Sequence, residues 1–448
     1  GVLQSFFFDE RVVTTVGTRR DKNRSRDSNG AVIDPATGFY SYAPLNVWQN
    51  WEEQQGTTST RGIVVKPFRG WRPIDRRADN GSFLADVVRS TSFFYNKATT
   101  FQPAAAAYTL FGEVLPNPTG QGRDYGFNIT LGRKFSLRVD RYETDQHNSR
   151  GGDAGTVATR ANRLDFGNDG FNLEDQATTW VAQLHPELNA EQQRAEVYRI
   201  MQLPGGFIEN MSGKDIDETQ DVTSRGWEFE VNYNPTPHWT LKLAGAEQKT
   251  IDSNLSPNIQ RYLDERLPVW QSVINPIDNT PWWTTSTSNA GTPQAFYLSA
   301  VLAPYKLATA NQGRPRSQVR EWSWNLTTSY NLSGLSDNRW LRDTNVGGAV
   351  RWQDRGSIGF LGAAPEADGV IRSYDPNRPV YDPSHTYVDL LLSHRFRFNK
   401  VSMNVQLNVR NVFEDGRLQT IGINPDGSGY NFRIIDPRQF ILTTTFEF

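Results

Sequence analysis

Along much of this chain apolar and polar side chains alternate one for one. In "EWSWNLTTSYNL" (321–332), Trp322, Trp324, Leu326, Tyr330 and Leu332 share one parity. Glu321, Ser323, Asn325, Thr327, Ser329 and Asn331 share the other. "VSMNVQLNVR" (401–410) sets Val401, Met403, Val405, Leu407 and Val409 against Ser402, Asn404, Gln406, Asn408 and Arg410. "WEFEVNY" (227–233), "YVDLLLSHRFRF" (387–398) and the closing "FILTTTFEF" (440–448) behave alike. A period of two is the signature of a strand with one apolar face. Read this way, strands are expected near 1–8, 11–20, 58–67, 87–98, 123–131, 134–144, 222–233, 238–249, 319–332, 342–353, 384–398, 401–412 and 437–448.

Alternation alone does not separate a soluble sandwich from a membrane sheet, because half-buried strands alternate in both. The connections carry more information. "DER" at 9–11, "GR" at 132–133, "NPTPH" at 234–238 and "FNK" at 398–400 read as short turns, "SGLSDNRWL" at 333–341 as a moderate one, and 68–86 as the longest of that set. The alternate connections, roughly 21–57, 99–122, 145–221, 250–318, 354–383 and 413–436, are long. With consecutive strands antiparallel, all the long loops fall at one end of the sheet. Outer-membrane barrels segregate their connections in this way, so the expected fold is all-β, an antiparallel transmembrane β-barrel with short helices in long extracellular loops. The last strand then runs inward and leaves Phe448 on the periplasmic side. An odd strand count does not close a bacterial single-chain barrel, and an open sheet in lipid leaves costly unpaired backbone groups. Either the count is off by one or earlier strands are omitted; the first strand runs inward like the last, which favours omission, so residues 1–448 are expected to be the C-terminal portion of a larger barrel.

Composition changes the picture in three places. Hydrophobic residues make up 37% and mean hydropathy is −0.61, and no run approaches the roughly 18–20 apolar residues of a membrane helix. Aromatics reach 12%, with 13 Trp, which suits the aromatic belts at membrane interfaces. Net charge is −2 and there is no Cys, so nothing points to nucleic acid, and thiolate metal sites, disulfides and cysteine nucleophiles are excluded.

Several stretches resemble the TonB-dependent receptors of Gram-negative-type outer membranes. "NVRNVFEDGRLQT" followed by "DPRQFILTTTFEF" is similar to the end of that family, and "TSRGWEFEVNYNPTPHWTLKLAGA" to its strand–turn–strand. "ERVVTTVGTRRDKN" and "STSFFYNKATTFQPA" resemble further hairpins. The resemblance runs through most of the chain. It implies a barrel of about 22 strands around an N-terminal plug, so that these segments are its last 13, with roughly nine strands and the plug unrepresented. It also implies localisation in the outer membrane. The implied partners are outer-membrane lipid, the protein's own plug, the inner-membrane TonB complex reached through a TonB box, and the barrel-assembly machinery. That machinery would read Phe440, Phe446 and Phe448. The implied function is active uptake of a scarce large nutrient: a siderophore, cobalamin, a metal complex or an oligosaccharide. The energy-coupling segment and the plug motifs have no counterpart in this sequence.

No enzyme motif occurs: there is no GxSxG, HExxH or phosphate loop, and no cofactor or metal site is expected. His147, His185, His238, His385 and His394 lack ligand spacing and read as solvated or interface residues. "NPDGSG" (424–429) reads as an external turn. "NAEQQRAEVYRIMQL" is expected to hold a helix capped by Asn189, with Val197, Ile200 and Met201 packed inward. "NIQRYLDERLPVWQSVI" is expected to hold another, with Ile259, Tyr262, Leu263 and Trp270 near one face and Pro268 limiting or kinking it. The ligand-binding candidates are Trp270, Trp282, Trp283, Arg314, Arg316 and Arg320, since aromatic faces stack on planar ligands and guanidinium groups grip anions. Competing with a ligand role is plain loop packing by the Trp residues and contact of the Arg residues with head groups or other loops. Competing with transport are a passive porin or structural surface protein, and a soluble β-protein whose apolar rows form a core.

Overall fold

The computed structural model describes residues 1–26, 32–42, 47–48, 51–167, 172–286, 291–336, 338–371, 373–398 and 401–448. Thirteen strands form one antiparallel sheet in which each pairs with its neighbour in sequence. They are Val2–Phe7, Val12–Ser25, Glu52–Val65, Ser92–Phe101, Thr119–Leu131, Phe135–Arg150, Thr219–Thr236, Trp239–Ser253, Trp322–Asn331, Thr344–Gln353, His385–Phe398, Val401–Arg410 and Gln439–Glu447. Val2–Phe7 and Gln439–Glu447 are the two edges. Every segment expected from the alternation is present, and the expected ends of the sheet are observed: all six long connections lie on one rim.

The boundaries differ instructively. The segment at 87–98 becomes a strand only at Ser92, because Phe83–Ser90 is a helix whose cap Ser82 accepts from the Ala85 amide at 3.4 Å. That helix and Arg72–Asp79 fill the longest connection of the turn rim. At 132–133 the turn is tight, with Gly132 at φ +55°. Asn399 and Lys400 of the "FNK" turn and Asp337 of the moderate one lie outside the described residues. On the loop rim several strands overshoot. Thr219–Thr236 has 18 residues, whereas about 9–11 suffice to cross a bilayer.

Directly paired residues share a face. Asn331, Asn345, Ser393, Gln406 and Thr443 form one unbroken cross-strand row, and Asn331 donates to Asn345 at 2.8 Å. The opposite face carries Tyr330, Val346, Leu392, Leu407 and Leu442 in register. These apolar side chains are not covered: Leu392 is 48% exposed and Leu442 68%. Among the described residues, Phe94 is the only buried apolar side chain contributed by the thirteen strands. The sheet therefore has no hydrophobic core of its own.

The core lies in the loops. Helices Gly152–Asp165, Leu173–Leu184, Ala190–Met201 and Phe207–Met211 occupy one connection, and Pro257–Ser272 opens the next. Their apolar faces meet in a cluster that includes Leu164, Trp180, Met201, Ile259 and Trp270. Asn189 caps Ala190–Met201 in a reciprocal box with Gln192. Val197 and Met201 are buried, with Ile200 packed against them. Pro257–Ser272 runs on through Pro268 rather than ending there. An interior proline costs about 3 kcal/mol or more. Here the turns on both sides are pinned, by the buried Arg266 before it and by Val269 and Trp270 after it.

Arg266 is pinned by a carboxylate. Asp165, fully buried, accepts from Tyr262 Oη at 2.6 Å, from Arg266 Nε at 2.9 Å and Nη2 at 2.5 Å, and from Trp270 Nε1 at 2.9 Å. Burial pushes the Tyr262 hydroxyl well above its usual value, and the Asp165 charge adds to this. A second buried carboxylate, Glu218, accepts from the Leu110 amide at 3.1 Å, Ser256 Oγ at 2.6 Å and Asn258 Nδ2 at 3.4 Å. It thereby joins three different connections.

Candidate functional site

Two short hairpins crown the loop rim: Gly356–Gly362 with Tyr374–Asp382, and Arg417–Ile423 with Gly429–Ile435. The second turns at "NPDGSG", where Asp426 Oδ1 accepts from the Ser428 amide at 2.8 Å and its hydroxyl at 2.6 Å. A loop reading of 354–383 and 413–436 missed both hairpins. Their strands are short, irregular in register and interrupted by Gly and Pro.

Gly356–Gly362 lies between two polar clefts. The first, about 230 Å³, brings Arg314 and Arg316 together with Lys249 and Arg355 beside Phe360 and Tyr381. Arg316 is committed to Asp252, with Nε donating at 2.8 Å, and that hydrogen bond holds its guanidinium pKa above the ordinary value against the effect of burial. Nearby Asp153 is pushed up, chiefly by burial, with the Asp252 charge adding and Arg316 opposing. Lys249 is held by Glu321 at 2.8 Å. Arg314 donates to the Pro376 carbonyl at 2.5 Å, with its guanidinium 5.8 Å from the Phe360 ring centre. Arg355 lies 4.5 Å over the Tyr381 ring. Among the described residues neither Arg314 nor Arg355 has a carboxylate partner, so these two cations remain uncompensated beside aromatic surface.

The second cleft, about 210 Å³, contains Arg320 and Asp382, with Gln419 beside them. Arg320 is spent on protein: it pairs with Asp382 and donates to the Pro383 carbonyl at 3.0 Å. Asp382 also receives Gln419 Nε2 at 2.5 Å and meets His385 Nε2 at 2.8 Å. Burial alone would raise the Asp382 carboxyl, but donors from Gln419, His385 and Arg320 outweigh it and hold the group below the usual carboxylate range. The other ring nitrogen of His385 lies 2.9 Å from Arg417 Nη2. Arginine can only donate, so His385 Nδ1 accepts and Nε2 carries the proton to Asp382.

Trp270, Trp282 and Trp283 lie elsewhere, inside the helical core. Trp270 stacks on Trp283 with centroids 6.2 Å apart, and Tyr297 closes on both. Trp282 is 1% exposed. These rings pack loops onto one another. The structure thus brings Arg314 and Arg316 into one cleft, puts Arg320 in the next and separates all three from the tryptophans. Arg355, Tyr381, Asp382 and Gln419 are not singled out by sequence, and His385, read there as solvated or interface, is buried among polar partners. His385 stands three residues after Asp382, but Arg417 reaches His385 and Gln419 reaches Asp382 from more than thirty positions away, and no local pattern announces such partners.

No protein-family profile and no curated protein matches the chain. Solved structures do resemble it over nearly its whole length. The ferric-catecholate import receptor Fiu of E. coli is 14% identical, with TM-score 0.45, over 97% of this chain and 42% of that one. The siderophore receptor PiuA of Acinetobacter baumannii is 12% identical, with TM-score 0.47, over 98% and 41%. The pyoverdine outer-membrane receptor FpvA of Pseudomonas aeruginosa is 13% identical, with TM-score 0.48, over 99% and 41%. This chain spans about two-fifths of the length of each.

Proposed function

We propose that this chain is the C-terminal part of an outer-membrane β-barrel whose complete protein takes up a scarce, large nutrient by TonB-dependent transport. The carrying observation is the sheet's uncovered apolar face, on which Leu392 and Leu442 stand 48% and 68% exposed while the opposite face is a polar row. A thirteen-strand sheet with two free edges is unfavourable in hydrocarbon, where each unpaired backbone group costs several kcal/mol. Earlier strands of the same protein would close it, and a plug would fill the space against Asn345, Ser393 and Gln406. Long loops confined to one rim, with a packed helical core of their own, give such a barrel a built external surface.

The clefts of that rim set the ligand chemistry. Guanidinium groups without a carboxylate partner at Arg314 and Arg355, beside Phe360 and Tyr381, favour an anionic ligand with planar groups. Ferric siderophores fit this better than neutral oligosaccharides. Transport would involve no bond chemistry by the chain. The last strand presents Phe440 and Phe446 on its outer row and ends at Phe448, 98% exposed, the arrangement expected of an assembly signal.

The test expresses the full-length protein in iron-limited cells lacking their own siderophore receptors. Uptake of a ferric catecholate that stops when the proton-motive force is collapsed is the expected result. Uptake indifferent to depolarisation would replace transport with the passive-porin reading. In the same strain, Phe448→Ala is expected to lower the inserted fraction severalfold, and unchanged insertion would end the assembly role.

A further inference from the structure

We infer that the hairpin Arg417–Ile423/Gly429–Ile435 takes up a further β-strand, supplied by an external loop of the earlier, unrepresented part of the same protein. The inference rests on the reading that earlier strands close the sheet, and it is independent of what is transported. The distribution of exposed apolar side chains points to it. Among the described residues of the six long connections, Val114 excepted, every large apolar side chain that is more than half exposed lies in the first connection or the last. The first holds Phe39, Tyr40, Tyr42 and Trp48, and the last Phe413, Leu418, Tyr430 and Ile434. Those two connections stand next to the two free edges of the sheet. Three of the four between them contribute to the shared helical core instead.

The last connection shows what is missing. Leu418 pairs with Ile434 and Thr420 with Phe432, so these four share a face, and Tyr430 follows two residues on. Leu418 is 64% exposed and Ile434 75%. The opposite face is committed to the neighbouring hairpin. Gln419 donates to Asp382 at 2.5 Å, and a Cβ on Gly359 would meet Ile423 Cγ1 at 3.0 Å. That neighbour rises between Thr344–Gln353 and His385–Phe398. The bare face therefore looks the other way, past Gln439–Glu447 and its free edge.

The backbone is uncovered as well. Gly429–Ile435 pairs with Arg417–Ile423 and, among the described residues, with no other strand. Its sequence, GYNFRII, carries one charge and no proline. Solvent-facing sheet edges are ordinarily blunted by charge, by proline or by a covering segment, and a bare edge with an apolar face is a pairing site. One added strand answers both needs: its backbone pairs with the edge, and its alternate apolar side chains extend the face of Leu418, Phe432 and Ile434. The edge stands over the place where earlier strands would join Gln439–Glu447. A loop rising from those strands is tethered beside it at high effective concentration, an advantage that neither a second copy nor a separate protein has.

The experiment places the photo-crosslinking amino acid p-benzoylphenylalanine at position 432 of the full-length protein, in intact cells, and maps the products by mass spectrometry. The expected product is intramolecular and joins that position to a peptide upstream of Gly1. Ile434→Lys should lower its yield severalfold, because a charge on an edge opposes pairing, while Ile434→Val should keep it. In the purified wild-type monomer, the amides of 429–435 that face away from Arg417–Ile423 should exchange severalfold more slowly than in the Ile434→Lys variant. A product joining two copies, another protein or a lipid overturns the inference, as does one confined to residues 1–448 or exchange of those amides at the rate of an unpaired chain. Should the crosslinker variant fail to insert, the exchange comparison still decides. A full-length protein without heat-modifiable mobility removes the barrel reading and the added strand together. A heat-modifiable barrel whose hairpin meets none of its own upstream chain removes the added strand only.

Discussion

The sheet and the helical cap solve the burial of apolar side chains in opposite ways. In the cap, Leu164, Met201, Ile259 and Trp270 are shielded by one another, and even the ion pair between Asp165 and Arg266 is dry. In the sheet, side chains of the same kind, such as Leu392 and Leu442, line up in rows that none of the described residues covers. One polypeptide thus contains a part that builds its own interior and a part whose interior must be supplied by solvent. Hydrophobic residues in the sheet specify an environment, whereas those in the cap specify partners.

The largest expected effect breaks the cap. Asp165→Ala leaves the Arg266 charge buried without a counter-charge, at about 3–5 kcal/mol. Limited proteolysis should then cut within 151–218 and 254–311 while the sheet keeps its heat-modifiable mobility on gels. Loss of both together would mean that cap and sheet fold as one unit. Next, Leu392→Arg puts a charge on the apolar row and should destabilise the inserted protein by about 2–4 kcal/mol. Gln406→Arg, on the polar row, should cost far less. Equal costs in lipid unfolding titrations would abolish the distinction between the faces.

Smaller effects sharpen the comparison through pH. In the cap and its stitches, burial raises Glu218 and Asp217. A carboxyl raised in the folded state penalises folding above its folded pKa, and that penalty is relieved as pH falls through it. In the rim, Asp382 is lowered, so its contribution is present above the unfolded carboxylate value and is lost only as pH falls through its depressed folded value. Hydrogen exchange should therefore show the cap tightening on mild acidification, with the 417–435 hairpin unchanged until strongly acidic pH. Asp382→Asn should loosen that hairpin at neutral pH, by about 1–3 kcal/mol. Smallest of all, Asn189→Ala removes one cap and should cost Ala190–Met201 about 1 kcal/mol, read as faster exchange in its first turn alone.

The two regions also differ in how much of them could be read beforehand. The strands were legible because alternation is local: Trp322, Trp324 and Leu326 announce their face within five residues. The segregation of loops followed from counting. The capped helix at Asn189 was legible for the same reason, its box closing over three residues. What stayed hidden depends on distant pairings. Asp165 draws its donors from 97 to 105 positions away, and nothing around it marks it as buried. Trp270, Trp282 and Trp283 looked like ligand platforms because a tryptophan in a loop carries no sign of whether that loop has a core. Val87 and Val88 suit strand or helix alike, so alternation alone extends the strand into Phe83–Ser90, and the Ser82 cap decides for helix.

Glu218 has a mechanical consequence. One carboxylate grips the backbone before Thr119–Leu131, the start of Pro257–Ser272 and its own strand top, so the three external segments are riveted at a shared point. Hinging the Leu110 segment outward alone breaks one of its hydrogen bonds, the Ser256–Asn258 segment two, and the Glu218 segment all three. An opening of this canopy that keeps the rivet intact is therefore concerted, a rigid plate tilting on its strand stalks.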